Sequence, residues 1–540
     1  MRQLRSVIFI IAFFLAISAI SDAADRGKTP QNGQLPSDIQ AVFNKPLYKG
    51  ATWGLRVVDS DGKVLIDYNP QQKFFIGSVR KVFSVGELLN QVGPDHTYDT
   101  PVYRVGNVDE AGVLHGNLVL VASGDLTMGG RTNPDGSIAV TDFDHNEADS
   151  LGNAELTAPD PTAGYAQLAQ QIANAGIKKV AGDVIVDDRL FQPFDFRGQF
   201  KVTPIFVNDD VVDLTINPTT PQRPALINWR PTSAALEVDT KLVTVAGGSD
   251  YSLKLDPEFP ECIGTPGCRA AVTGNLPMDF KPMFTNKFPL VQVFRIVNPS
   301  SYARTVLIEK LQDAGVTVDA PAVKQNPASL LPARNAYASD AMVAKLHGLP
   351  YSDYAKYILK VSYNIGADTS LVLFGLTQNV DNMSDALAAE QKNLAANYGV
   401  SAGQYHFVDG SGGGPSTATT VAVTQMLTAL SKRSTFPTFL DALPNMGIDG
   451  SLGFVNQFES DPSLAGAKGH VHSKPGTYAE GTATGLLIKG QAFGGYIQAK
   501  SGKQLMYQLV VNNVPVQQLT NLLEMFQDQG TVSAMLWRDN

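Results

Sequence analysis

In the stretch FFIGSVRKVFSVGELL, residues 74–89, Ser78 and Lys81 stand three positions apart, directly after a glycine. Apolar residues follow at Val82, Val85 and Leu89, a spacing that predicts a helix opening at Ser78. On such a helix the two side chains project about 60° apart on one face. A serine hydroxyl is a poor nucleophile until a nearby base takes its proton, and a lysine one turn away is such a base once its charge is suppressed. The same residues also fit a plain structural reading, a serine N-cap followed by an exposed lysine. Partners elsewhere in the chain decide between the two.

Two sets of partners lie downstream. Ser362-Tyr363-Asn364 follows the helical pattern SDYAKYILKV, and Lys474-Pro475-Gly476-Thr477 sits in the strand-like stretch HVHSKPGTYAEG. The order S-x-x-K, S-x-N, K-T/S-G, on a helix start, an inter-helix loop and a strand, is that of penicillin-recognising serine enzymes, and this chain follows it with Pro475 in the middle place of the third motif. Each triplet alone is weak; three in this order are not.

The elements that must position these residues can be read coarsely. Residues 50–70 alternate around Asp61-Gly62 and predict a β-hairpin. From 98 to 290, short strand-like runs (LVLVAS, KVAGDVIVDD, ALEVDTKLVTVAG) and one helix, YAQLAQQIANAG, read as an inserted, mostly β region. From about 300 the chain reads as helical, through SYARTVLIEKLQDAG, SDAMVAKLHG, SDYAKYILKVS and DALAAEQKNLAANYG. It closes with the strand-like ATGLLIKG, FGGYIQAKSG and QLMYQLVVNN and a helix around VQQLTNLLEMFQ. The expectation is one α/β catalytic domain, residues 34–97 and 291–540, its antiparallel sheet completed by both ends of the chain and flanked by helices. The insert, 98–290, interrupts it.

The N-terminus reads as a secretory leader. Arg2 and Arg5 precede an apolar run from Val7 to Ile17, and Ser21-Asp22-Ala23 offers a cleavage site, so residues 1–23 are expected to be a signal peptide. A run this short favours export over a membrane span. Cys262 and Cys268, the two cysteines, flank a turn and suit a disulfide in an oxidising compartment. Net charge is −9, which disfavours nucleic acid as a partner. Peripheral membrane association stays open as a partner expectation, and oligomeric state is not legible.

With these residues in view, the chain resembles the D-alanyl-D-alanine carboxypeptidase/endopeptidase type of low-molecular-mass penicillin-binding protein, over nearly the whole mature chain. VASGDLTM, GDVIVDDRLF, VDGSG at 408–412, IDGSL at 448–452 and the closing GYIQAKSGKQLMYQLVVNN carry the resemblance beyond the motifs. The long insert distinguishes this type from β-lactamases. The resemblance implies a penicillin-binding/β-lactamase-like transpeptidase fold and an exported, periplasmic enzyme acting on peptidoglycan stem peptides and acylated by β-lactams, with no cofactor and no metal. Ser78 would be the nucleophile and Lys81 its base, with Lys474 as a second cation lowering the lysine's pKa. Ser362 would relay a proton to the leaving amine, and Asn364 would hold Lys81 and the substrate amide. The N–H groups of Ser78 and Thr477 would form the oxyanion hole. Gly476 and Thr477 would line the substrate, and Asp187 would meet a diamino acid or serve a turn. Asp409-Gly410-Ser411-Gly412 reads as a bracing turn. His470 and His472 are expected on the strand face that carries Lys474.

One departure matters. Pro475 stands where this family has a threonine or serine whose hydroxyl helps bind the substrate's terminal carboxylate, and proline has neither hydroxyl nor N–H. Ser473 and Thr477, on the same strand face, are the candidate replacements, Thr477 the better one. Pro475 also feeds the alternative reading, a weak or inactive homologue serving as a cell-wall peptide-binding scaffold.

Overall fold

The computed structural model describes residues 35–482 and 485–540, so the expected leader lies outside the described residues. The chain divides into two compact units. The first comprises residues up to Pro94 with Ala355–Val380 and Ser384–Asn540; the second comprises Asp95–Tyr354 with Asp381–Met383.

In the first unit, β1 (Thr52–Asp59) and β2 (Val64–Tyr68) form the hairpin expected around Asp61-Gly62. Gly62 has φ +83°, a conformation that glycine adopts without a Cβ penalty. Three late strands, β3 (Val471–Thr482), β4 (Gly485–Gln498) and β5 (Gln504–Asn512), complete an antiparallel sheet of order β2-β1-β5-β4-β3. β1 pairs with β5 from Thr52–Asn512 to Asp59–Leu505, so both ends of the chain close one sheet. β3 is its edge.

Strand alternation sorts the two faces. Trp53, Leu55, Val57, Phe493, Ile497 and Leu509 join a core with Met525 and Val532 of α6 (Leu519–Asp539), the long C-terminal helix. Each such fully buried side chain contributes about 1.5–3 kcal/mol. The opposite face is kept small. A Cβ on Gly54 would strike Phe74, and one on Gly494 would come within 2.8 Å of Val79 and 3.3 Å of Val423. That clearance admits α5 (Thr420–Leu430) and the serine-bearing turn. Behind them lie α1 (Lys81–Val92) and α3 (Asn364–Thr377). From Ile365 to Gly375, α3 is buried on every side, as a helix at the centre of a domain must be. α2 (Tyr351–Val361) ends just before α3, and α4 (Met383–Tyr398) follows it.

The second unit is mixed. Its largest sheet is built on Thr100–Val108 and Val113–Val121, with Val184–Asp187 parallel to the latter. Helices Ala163–Asn174 and Pro299–Asp313 pack against this sheet. Beside it stand two three-stranded sheets, around Val211–Asn217 and Arg269–Pro277, and a two-stranded one, Phe194–Phe196 with Phe200–Val202. Cys262 and Cys268 are disulfide-bonded. Two expectations need correction here. SDAMVAKLHG is no helix: Met342–Leu346 is a strand pairing with Thr100–Val108, its Ala344 and Leu346 buried on alternate positions. The interrupting unit also runs on to Tyr354 rather than ending at 290. The reason is Pro299–Asp313, whose Leu307, Ile308 and Leu311 share a core with Ile172 and Val184.

Candidate active site

The chain leaves the short strand Lys73–Phe75 in a single 3-10 turn, Gly77–Arg80, and α1 starts at Lys81. No side chain caps α1, so the Ser78 hydroxyl is not spent as an N-cap. It lies 2.7 Å from Lys81 Nζ instead. Two glycines let this turn touch β3 backbone to backbone. Gly77 has φ +49°, and a Cβ on it would fall 2.6 Å from the amide nitrogen of Thr477. A Cβ on Gly476 would fall 2.6 Å from the amide nitrogen of Ser78. The two N–H groups expected to form an oxyanion hole are therefore neighbours across one contact.

Lys81 is fully buried, and four oxygens surround its nitrogen: Ser78 Oγ at 2.7 Å, Ser362 Oγ at 3.2 Å, Asn364 Oδ1 at 2.6 Å and the Ser411 carbonyl at 3.3 Å. Ser362 reaches it from the junction of α2 and α3 in a left-handed conformation, φ +69°. Asn364, two residues on, opens α3. Two of the four neighbours are carbonyl oxygens, which only accept; the two hydroxyls accept or donate.

The Ser411 carbonyl is the partner that motif spacing missed. It is held by the Asp409-Gly410-Ser411-Gly412 turn. The Asp409 carboxylate accepts from the amides of Ser411, Gly412 and Gly413, while Gly410 N donates to Asp368 of α3 at 2.9 Å. Ser84 and Arg80 of the serine-bearing segment donate to the carbonyls of Gly410 and Asp409. Arg80 is itself fully buried, paired with Glu390 of α4 at 2.6 Å and stacked 4.1 Å from the Phe407 ring. Burial and the neighbouring Glu390 push Glu87 well above the usual carboxylate range, so this pocket holds one net carboxylate against Arg80. The D-G-S-G stretch gave the position of this brace in the sequence; the role of Arg80, between Ser78 and Lys81, had no signal of its own.

On β3, Lys474 is fully buried and donates to the Pro475 carbonyl at 3.0 Å. Pro475 lies on the edge strand, where a missing N–H is tolerated. Of the expected substitutes for its hydroxyl, one is engaged elsewhere and the other is buried. Thr477 Oγ1 donates to Gln491 Oε1 at 2.5 Å, leaving only lone pairs, which a carboxylate cannot use. Ser473 is fully buried under the sheet. His472 shares the face of Lys474 and Gly476, but His470 precedes the strand and stacks on Trp537 of α6, 6.3 Å between centroids.

In the second unit, Asp187 accepts both Arg189 N–H groups, at 2.7 and 2.8 Å, and the Tyr337 hydroxyl at 2.6 Å. Burial opposes its charge, but these bonds hold its carboxyl below the usual range. Asp144, His145 and Asp209 offer ligand atoms close enough to hold a metal ion. The Arg131 guanidinium already lies among them, bonded to both Asp144 oxygens at 2.7 and 2.8 Å and to Asp209 at 2.8 Å, so the group is an ion-pair network.

A serine on a 3-10 turn, a buried lysine three residues on, a serine and asparagine between two helices and a lysine on the sheet's edge together define a penicillin-binding, β-lactamase-like serine enzyme. The chain belongs to the D-Ala-D-Ala carboxypeptidase 3 (S13) family, which it matches over residues 35–527, and is a serine-type carboxypeptidase of that class. It is 25% identical to the D-alanyl-D-alanine carboxypeptidase of Actinomadura sp. (strain R39), over 92% of this chain and 84% of the relative. Its fold is similar to that of penicillin binding protein 4 (dacB) from Haemophilus influenzae, with TM-score 0.67 at 17% identity, over 93% of this chain and 99% of the other. A second structure of that protein, complexed with a novel β-lactam, gives TM-score 0.64 at 18% identity, with the same coverage.

Proposed function

We propose that the chain cleaves the terminal D-Ala-D-Ala bond of peptidoglycan stem peptides, and the equivalent bond of cross-links, through an acyl-enzyme on Ser78. The observation that carries this reading is the environment of Lys81 Nζ. A lysine acts as a base only as a neutral amine, with two N–H groups and one lone pair. Two neighbours, Asn364 Oδ1 and the Ser411 carbonyl, are obligate acceptors and take the two N–H groups. The lone pair then faces the two hydroxyls, Ser78 Oγ and Ser362 Oγ. The amine is thus oriented to receive the Ser78 proton as Oγ bonds to the substrate carbonyl carbon.

The resulting oxyanion is stabilised by the neighbouring N–H groups of Ser78 and Thr477. As the C–N bond breaks, the proton passes from Lys81 through Ser362 to the leaving D-alanine nitrogen. Water then attacks the ester by the same route, releasing the shortened peptide and restoring the Ser78 proton. Lys474, fully buried on β3, supplies the second positive charge near the developing anion. Asp187 is assigned to the stem's diamino acid on the family resemblance alone. Penicillin would acylate Ser78 by the same attack, and the leader-like N-terminus and the disulfide support export to the periplasm.

The test is incubation of the purified protein with a fluorescent penicillin, followed by peptide mapping. A covalent adduct on Ser78 is expected, and none with Lys81→Ala. An adduct on another serine overturns the role of Ser78, and no adduct overturns the acyl-enzyme reading and leaves the peptide-binding scaffold that Pro475 suggests.

A further inference from the structure

Three consecutive main-chain carbonyls of the 409–412 turn accept from one short segment of the chain. Arg80 Nε donates to the Asp409 carbonyl at 2.9 Å, Ser84 Oγ to that of Gly410 at 2.7 Å, and Lys81 Nζ to that of Ser411 at 3.3 Å. All three donors belong to residues 80–84, and all three are buried. The turn is also pressed against the backbone before the nucleophile, since a Cβ on Gly412 would strike the Gly77 carbonyl. Of the three bonds, only the one to Lys81 reaches a reacting group, and it is the longest. Ser411 lies in neither a helix nor a strand, so its carbonyl is placed by whatever holds the two carbonyls before it.

Arg80 and Glu390 are both buried, and exchanging such a pair for apolar side chains is often neutral or stabilising. A turn that needed only packing would be served by an apolar residue at position 80. A guanidinium adds a rigid fork, which sets a distance and a direction. One of its nitrogens holds the Asp409 carbonyl, another holds Glu390 at 2.6 Å, and the Phe407 ring stacks 4.1 Å away. Burial and Glu390 keep Glu87 of α1 above the usual carboxylate range, so one carboxylate balances one guanidinium.

We propose that Arg80 and Ser84 are positioning residues for the catalytic lysine: by holding the Asp409 and Gly410 carbonyls they fix the Ser411 carbonyl on Lys81 Nζ and so aim the amine's lone pair at Ser78; the assignment rests on the acyl-transfer reading above. With the turn released, the Ser411 carbonyl withdraws and the amine loses one of its two obligate acceptors, so its lone pair can swing away from Ser78 Oγ. The ammonium loses more than the amine does, because a hydrogen bond to the charged form is the stronger one. Two effects of opposite sense follow. Acylation slows, while the neutral amine becomes available at lower pH. The carboxyl and cationic groups around the turn are Asp368 and Asp409, which accept its amides, and Arg80 with Glu390 and Glu87. Neither Arg80→Lys nor Ser84→Ala alters the charge they carry.

The experiment follows acylation of Ser78 by a fluorescent penicillin between about pH 5 and 10, separating the dissociation constant of the first complex from the acylation rate constant. In Arg80→Lys the shorter side chain keeps its ammonium on Glu390 and no longer spans to Asp409. Ser84→Ala removes the other clamp by deleting one hydroxyl. In each variant the acylation rate constant should fall about tenfold or more. The dissociation constant should stay within about twofold. The acidic limb of the rate profile should move down by about half a unit. A merely structural role would lower stability or weaken binding without moving the lysine's titration. A limb that stays in place or moves up, or a rate constant at the parent's value, therefore overturns the assignment. If Arg80→Lys does not fold, Ser84→Ala decides alone. A parent that is not acylated at any pH overturns the acyl-enzyme reading, and this assignment with it.

Discussion

Gly476 lies so close to Ser78 that a Cβ built on it would stand 2.6 Å from the Ser78 amide nitrogen, 2.7 Å from that of Val79 and 2.2 Å from the Ile76 carbonyl oxygen. All three are backbone atoms, so neither side can yield by rotating a side chain. Gly476→Ala must push β3 away from the serine-bearing turn and separate the two oxyanion N–H groups. A misplacement of this kind costs on the order of a hundredfold in rate. Acylation by penicillin should fall at least that far, and the strain of the added methyl should cost about 1–3 kcal/mol of stability. Stopped-flow labelling and thermal unfolding measure the two. Acylation within a few-fold of the parent would mean that the Gly476–Ser78 contact does not set the oxyanion geometry.

Asn364 Oδ1, 2.6 Å from Lys81 Nζ, tests the protonation state required of the lysine. Asn364→Asp replaces a neutral acceptor with a carboxylate at the same distance. An adjacent opposite charge favours the ammonium and raises the lysine pKa. The neutral amine then appears only at higher pH, so the acidic limb of the acylation–pH profile should move upward by about one unit or more. A profile that does not move would place the base elsewhere.

Pro475 separates two donors of the terminal carboxylate. Restoring the family's hydroxyl with Pro475→Thr should raise kcat/KM on D-Ala-D-Ala peptides about tenfold, because it adds a hydrogen bond to a charged group. Thr477→Val, in contrast, should leave the preference for a terminal carboxylate intact, because the Thr477 proton is given to Gln491. Steady-state kinetics on peptides ending in D-alanine and in D-alaninamide decide it. If Thr477→Val erases the preference, the Gln491 bond breaks when substrate binds and Thr477 is the carboxylate donor.

What was legible in the sequence was what is local. The S-x-N junction and the edge strand read from short-range pattern and lie on the expected elements, while the helix expected to open at Ser78 opens at Lys81, with Ser78 on the 3-10 turn before it. The hairpin at Asp61-Gly62 lies as expected too. What was not legible depends on distant packing. MVAKL has helical composition, but pairing with Thr100–Val108 makes it a strand, which sends Ala344 and Leu346 into the core shared with the helix Ala163–Asn174. The end of the second unit could not be read because Pro299–Asp313 looks like any amphipathic helix until its core partners are known. The fourth neighbour of Lys81 is a main-chain carbonyl, and a carbonyl has no residue-type signature at all.

The last prediction concerns stability and His145. Burial opposes a charge on this imidazole, but Asp213 at 2.6 Å from Nδ1 and Asp209 at 2.7 Å from Nε2 outweigh it, even with Arg131 nearby. Its pKa is pushed up to about 9 from a usual value of 6.5. The folded state therefore holds this proton more tightly than the unfolded chain, and the linkage has one sign. The stabilisation is fully present below about pH 6.5 and is lost as pH rises through about 9. A shift of this size corresponds to on the order of 3 kcal/mol. The reason is visible in the charges: Asp144, Asp209 and Asp213 face Arg131, Arg230 and the imidazolium, and removing its proton leaves a buried carboxylate uncompensated. Unfolding of the full chain by denaturant, followed between pH 6 and 10, should show the second unit weakening across that window. In His145→Gln the decline should flatten, and the variant should already be less stable at pH 6.5. A parent whose stability stays level from pH 6 to 10 would mean that the imidazole is neutral in the fold and that Arg131 and Arg230 alone balance the three carboxylates.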